Sequence, residues 1–200
     1  IQELPDRVIV HTQAGETYQG RYLVGADGAS SLVARALGLR RRKTLAAAIE
    51  VETPAPPEIM ARFQDTACFI FGEVRLGYLW IFPKANHLSV GIGALRPRPG
   101  ELQVTLKRVM ARFGVPLEEG SLHGHPIPLY TRSEKFATSR SLLVGDAAGL
   151  VDPFTGEGIR FAIKSGRMAA EAIIAGPIGA YSECVDRQIG INHLCGRGRG

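Results

Sequence analysis

The 200-residue sequence has no apolar run approaching the ~20 residues needed to span a bilayer, and its first residues carry no signal-type pattern. Cysteine is scarce. Cys68, Cys184 and Cys195 form an odd set without a CxxC pair or a Cys/His cluster, which argues against disulfides and metal and for a reducing, cytoplasmic setting. The five histidines (His11, His87, His123, His125, His193) are scattered and read as surface or core positions. No nucleophile elbow is present to support Ser-His-Asp hydrolysis. Charge is mixed, with a net excess of only +5 and no recognition helix or aromatic-basic motif, so nucleic acid is not an expected partner. The densest basic run, Arg40-Arg41-Arg42-Lys43, reads as cations at a helix C-terminus plus a solvated loop. Its second reading is a peripheral contact with an anionic membrane surface or a phosphate. Repeats and low-complexity tracts are absent. Ile1 rather than Met opens the chain, close to a strand-like segment, so the sequence is expected to belong to something longer.

What is present is a globular pattern, 45% apolar. Residues 7–12 and 17–27 read as strand, turn and strand, the second ending in Gly25-Ala26-Asp27-Gly28. Ser30 or Ser31 caps a short helix that Gly38 stops. From Leu45 to Leu95 the texture becomes alternating, β-branched and aromatic, as in an antiparallel sheet, with PAPPE (54–58) as a breaker. Residues 99–114 read as an amphipathic helix between Pro99 and Gly114. A short buried strand follows at 141–145. Two strands ending in Gly and Asp, separated by an antiparallel block, fit a doubly wound α/β sheet with an inserted second domain. The expected boundaries are 1–44 and 134–176 for the first domain, 45–133 for the insertion and 177–200 for a helical tail.

Residues 145–166, GDAAGLVDPFTGEGIRFAIKSG, hold five glycines, two aspartates and a proline ahead of a helical pattern. Helix initiation alone wants one capping side chain, and glycine costs roughly 0.5–1 kcal/mol against alanine inside an element. The cluster therefore implies backbone that must come close to a ligand. Asp146 is placed to accept hydrogen bonds from a ligand hydroxyl. Gly156 and Gly158 flank Glu157 at the expected first helical turn, where free N–H groups favour negative charge. Ile159, Ala162, Ile163, Gly166, Ala169, Ala170, Ile173 and Ile174 are its expected buried side.

LLVGDAAGLVDPFTGEGIRFAI (142–163) resembles the second FAD motif of the flavoproteins that include aromatic hydroxylases, halogenases and geranylgeranyl reductases. YLVGADGASSLVAR (22–35) is similar to that group's Asp-Gly motif. The resemblance implies FAD, with Asp146 on its ribityl chain and Gly156, Gly158 and Ile159 against the flavin N1–C2=O edge. Gly145 and Pro153, from the same motif, complete that set. Asp27 and Gly28 would sit near the pyrophosphate or hold the loop beside it. YLWIFPKANHLSVGIG (78–93) resembles the YxWxFP motif of the geranylgeranyl reductases, and halogenases carry a related pattern. In a strand, Tyr78, Trp80 and Phe82 share one face. A two-residue turn at Ala85-Asn86 would set Gly91 opposite Trp80 and Gly93 opposite Tyr78, leaving the rings room. Such a wall suits an isoprenoid chain held over the flavin.

No GxGxxG followed by an acidic residue precedes the Asp-Gly motif, and the family's cysteine-glycine motif is missing. The three cysteines inherit no role. The resemblance implies part of an FAD-dependent reductase that saturates C=C bonds in geranylgeranyl groups of lipids, chlorophyll precursors or quinones, fed by NAD(P)H or ferredoxin. A flavin monooxygenase or halogenase is the alternative enzyme, and an inactive fragment the non-enzyme alternative.

Overall fold

The computed structural model describes residues 1–117, 122–176 and 178–190. Two units cluster by their contacts: residues 1–44 with those from 127 onward, and Leu45–Pro126. In chain order the first unit supplies β1 (Gln2–Glu3), β2 (Val8–His11), β3 (Thr17–Gly20), β4 (Leu23–Gly25) and α1 (Leu32–Ala36). Around the second lie β5 (Thr44–Thr53), α2 (Pro57–Phe63), β6 (Cys68–Phe71), β7 (Gly77–Pro83), β8 (Leu88–Leu95), α3 (Glu101–Phe113) and β9 (Leu122–Leu129). The first unit continues with β10 (Ser141–Leu143), α4 (Ile159–Ala175) and α5 (Tyr181–Val185), and a further helical turn follows at Asp186–Gly190.

In the first unit the segment 17–27 is two strands rather than one. β3 closes an antiparallel β1-β2-β3 sheet, whereas β4 pairs in parallel with β10, Leu23 opposite Ser141 and Gly25 opposite Leu143. The break falls where the Leu23 N–H turns to the Arg140 carbonyl (3.0 Å). The two Gly/Asp-ending strands are therefore neighbours, as a doubly wound sheet requires. β4 is only partly buried, with Val24 41% exposed. Gly25 admits α1, since a Cβ there would stand 2.8 Å from both Leu143 Cδ2 and Val33 Cγ1. Of the two candidate caps Ser31 serves, its Oγ accepting from Ala34 N at 2.9 Å.

α4 begins at Ile159, three residues later than expected, because Gly156 is left-handed (φ 73°) and breaks the helical path. Its buried residues are Phe161, Ser165, Met168 and Ala169. Ile159, Ile163, Ala170 and Ile174, expected inside, are exposed. The small-residue pattern misplaced the stripe because Phe161 and Met168 are the large side chains that α4 buries, in the same core as Leu142 and Leu143. Residues 178–190 are no detached tail: Tyr181, Val185 and Ile189 join the same core, and Tyr181 donates to the Leu143 carbonyl (2.8 Å). Residues 191–200, including His193 and Cys195, lie outside the described residues. The expected boundary at 133 falls at 126, because Leu129 bridges to Val151 and Tyr130 N donates to Val151 O (2.8 Å).

The second unit carries a five-stranded sheet in the order β6-β7-β8-β5-β9. Leu79, Ile81, Val90 and Ile92 of its inner face pack with Leu106, Val109 and Met110 of α3. The PAPPE breaker contains the start of α2 instead. Pro57 sits at the first helical position, where a missing N–H costs nothing. β9 was not expected, and its Pro126 and Pro128 are tolerated because it is an edge strand. At the β7–β8 hairpin, Lys84 N donates to His87 O (2.9 Å), leaving Ala85-Asn86 as the turn. The register puts Trp80 opposite Gly91 and Tyr78 opposite Gly93, as the alternation predicts.

Candidate functional site

Gly28, Gly145, Asp146, Gly156, Gly158 and Ile159 come together along one open cleft of about 1110 Å³ in the first unit. After β10 the chain makes a tight turn, Gly149 N donating to Asp146 O (2.9 Å) and Leu150 N to Gly145 O (3.3 Å). Gly145 is left-handed (φ 53°), and its N–H donates to the buried Ser165 Oγ at 2.9 Å. Ser165 Oγ in turn donates to Ala162 O (3.1 Å), so α4 grips the turn. Sequence reading missed Ser165. A lone hydroxyl on a helix position that packs inward was the available signal.

No described residue donates to the Asp146 carboxylate, and partial burial raises its pKa above the ordinary aspartate value. Gly158 adjoins it: a Cβ there would lie 3.7 Å from Asp146 Oδ1 and 3.3 Å from Val151 Cγ2. Gly158 is also the cap of α4 and offers no side chain, so the first-turn N–H groups keep their positive end unclaimed by a cap. Glu157 and Arg160 pair at that rim (2.8 Å). Ile159 and Ile163, 80% and 70% exposed, form an apolar wall. A carboxylate that can accept, a helix end that favours negative charge and a flat glycine-floored wall suit a planar ligand with hydroxyls.

Two predicted residues stand off the cleft lining. Asp27 turns its carboxylate to α1, accepting from Ser31 Oγ (2.6 Å), Leu32 N (2.7 Å) and Val33 N (3.1 Å). Burial acts to raise its pKa, but these hydrogen bonds outweigh it and hold the pKa below the ordinary value. Pro153 lies in a turn built by Asp152, whose Oδ1 accepts from Phe154 N and Thr155 N at 2.8 Å. Gly156 N donates to Asp152 O (3.0 Å), so this turn sets the glycine in place.

Tyr78, Trp80 and Phe82 share the second unit's other sheet face, Trp80 and Phe82 stacked at 6.2 Å. Sequence reading missed Phe69 and Phe71 of β6, which extend the wall. Phe69 lies 5.2 Å from Phe82 and 5.7 Å from Tyr78, and Phe71 5.6 Å from Tyr78. Glu50, opposite Gly91, stands on this face and accepts from Ser89 Oγ (2.6 Å). Alternation along LAAAIEVET was the signal for it.

The basic run is not uniformly a solvated loop. Arg40 is buried and paired with Glu134 at 2.8 Å, and Lys43 donates to Ala29 O (3.0 Å); Arg41 and Arg42 are exposed. Arg40 folds inward because Glu134 supplies the charge that makes burial tolerable. Among the described residues no His/Cys/Asp/Glu group could hold a metal, and no helix is long and apolar enough to cross a membrane.

No protein-family model matches the chain. It is 38% identical over 165 residues to the chloroplastic geranylgeranyl diphosphate reductase of Oryza sativa, covering 80% of this chain and 35% of that protein. It is 31% identical over 181 residues to the menaquinone reductase of Mycolicibacterium smegmatis, covering 84% and 44%. The chain thus spans well under half the length of these relatives. The crystal structure of a geranylgeranyl bacteriochlorophyll reductase-like protein from Thermoplasma acidophilum superimposes with a TM-score of 0.74 at 24% identity, over 93% of this chain and 54% of that one. The fold is thus the aromatic-hydroxylase-like flavoprotein fold, in part. Over about four fifths of its length, from the unit with the cleft to the unit with the aromatic sheet, the chain is thus similar in sequence to these reductases.

Proposed function

We propose that this chain supplies the flavin seat and the prenyl-binding sheet of an FAD-dependent reductase that saturates C=C bonds in geranylgeranyl groups. The observation that carries the reading is Asp146, an acceptor left open to a cleft that ends on an uncapped helix. The residues present fit the cofactor: Gly158 leaves the space a Cβ would fill, and Ile159 and Ile163 offer apolar surface to a ring.

In this reading Asp146 accepts from the ribityl hydroxyls. The first-turn N–H groups of α4 favour negative charge on the N1–C2=O edge, and Asp27 holds the neighbouring loop through its bonds to α1. FAD held there in its reduced form would supply a hydride to one carbon of the double bond, and a proton from water would complete the saturation at the other. The aromatic wall, including Phe69 and Phe71, binds the prenyl chain, whose affinity comes from apolar burial at ~25 cal/mol per Å². The proposed substrates are prenylated lipids, chlorophyll precursors or quinones; the relatives named for geranylgeranyl diphosphate and menaquinone support the prenyl and quinone part of that range. NAD(P)H or ferredoxin is the proposed donor, and Arg41 and Arg42 a surface for anionic lipid.

The test uses the whole protein, chemically reduced and kept anaerobic with a geranylgeranyl lipid, read by mass spectrometry. Gains of two hydrogens are expected, and Trp80→Ala should lower turnover at least as much as binding. Oxygen-dependent addition of a hydroxyl or halogen to an aromatic compound, with no prenyl mass gain, would establish the monooxygenase chemistry instead. For the seat, Gly158→Val and Asp146→Ala should each lose flavin while the fold persists. Full flavin occupancy in both would overturn the assignment.

A further inference from the structure

The turn that presents Asp146 is closed by Gly149, and the space over Gly149 is taken by the guanidinium of Arg40. A Cβ on Gly149 would lie 2.7 Å from Arg40 Cζ and 2.9 Å from Nε, and nearer still to Nη2. Gly149 is left-handed (φ 65°) and donates its N–H to the Asp146 carbonyl. Arg40 therefore touches the residue that closes the cofactor turn. Its side chain is 1% exposed, its Nη1 is paired with Glu134 Oε1, and Glu134 Oε2 accepts from Arg42 N (3.2 Å). The Phe136 ring lies 5.9 Å from Arg40 Cζ.

Stability alone does not account for this arrangement. Among the described residues, Arg40 Nε and Nη2 are buried with no hydrogen-bond partner. Leaving such donors unmet is destabilising, and a buried ion pair is often no better than apolar side chains of the same volume. What an apolar side chain could not supply is a flat, rigid plate anchored at one edge by a carboxylate. We propose that Arg40 is a positioning residue: stacked on Gly149 and fixed by Glu134, it holds the turn so that Asp146 keeps its place relative to the start of α4. The role rests on the flavin reading above. Arg40 touches neither substrate nor cofactor in it and acts through Gly149.

The experiment compares whole-protein variants by three readouts: the denaturation midpoint without flavin, the FAD dissociation constant, and the absorption spectrum of bound flavin. Arg40→Met with Glu134→Gln removes both charges together, so no lone carboxylate is left buried. Its flavin-free midpoint should stay near that of the parent while the FAD dissociation constant rises roughly tenfold or more, since a binding constellation tolerates about 0.5 Å of slack. The bound-flavin bands should shift. Arg40→Lys keeps a cation for Glu134 but not the plate, and should also weaken FAD without moving the midpoint. If the double variant does not fold, Arg40→Lys carries the test alone. Unchanged FAD affinity and spectrum in the folded variants, with Asp146→Ala weakened, would overturn the Arg40 role and leave the flavin seat standing. Unchanged FAD binding in Asp146→Ala would overturn the seat and this role with it.

Discussion

Trp80 and Gly91, paired across the β7–β8 hairpin, share one volume. A Cβ on Gly91 would lie 2.5 Å from Trp80 Cε2 and 2.7 Å from the Ile49 carbonyl, so the indole lies across the glycine backbone. Gly93, one pair along, is different: a Cβ there would meet Ala48 Cβ at 3.6 Å and Trp80 Cζ3 at 3.9 Å, both ordinary contacts. Only one of the two glycines makes room for a ring.

Gly91→Ala should therefore displace the indole and cost about 1–3 kcal/mol, the usual penalty of overpacking. Gly93→Ala should be neutral or gain up to ~1 kcal/mol from the reduced freedom of the unfolded chain. Urea midpoints measure the difference. Trp80 is the single tryptophan, so its emission reports the displacement directly. Equal midpoints for the two variants would contradict the packing described.

The Gly145–Ser165 bond makes a second prediction. Ser165→Ala leaves the Gly145 N–H without its acceptor inside the protein, at an expected cost of about 1–3 kcal/mol. Hydrogen exchange at the Gly145 amide should accelerate more than at Leu142 or Leu143. An amide as well protected in the variant as in the parent would show that the hydroxyl does not hold the turn.

Asp27 predicts a pH dependence. Its folded pKa lies below the ordinary value of 3.8, so the stability it contributes is present above that value and is lost as the pH falls through the folded pKa. Asp27→Ala should therefore be less stable than the parent at pH 7, with the gap closing below pH 3.8. Denaturant midpoints at several pH values check this. A gap that stayed constant into acid would mean that the carboxylate's charge contributes nothing.

Much of the cleft was legible because its signals are local. A left-handed turn needs glycine, an uncapped helix start needs free N–H groups, and both leave marks within the 22 residues from Gly145 to Gly166. The hairpin register followed from strand alternation and a two-residue turn for the same reason. Helix boundaries and buried faces were less legible, since Gly156 ends the helical path by its own dihedral and Phe161 and Met168 decide which side packs.

What the sequence determined by itself is therefore the local chemistry: the glycine turns, the Asp146 acceptor and the aromatic side of β7. The tertiary structure alone decided which distant residues support that chemistry. Arg40 and Glu134 lie 94 positions apart, and Ser165 grips Gly145 from 20 positions away. A basic run reads as solvated until a carboxylate is folded against it. The energy of burying an arginine depends on that neighbour, and nothing in the run itself specifies it.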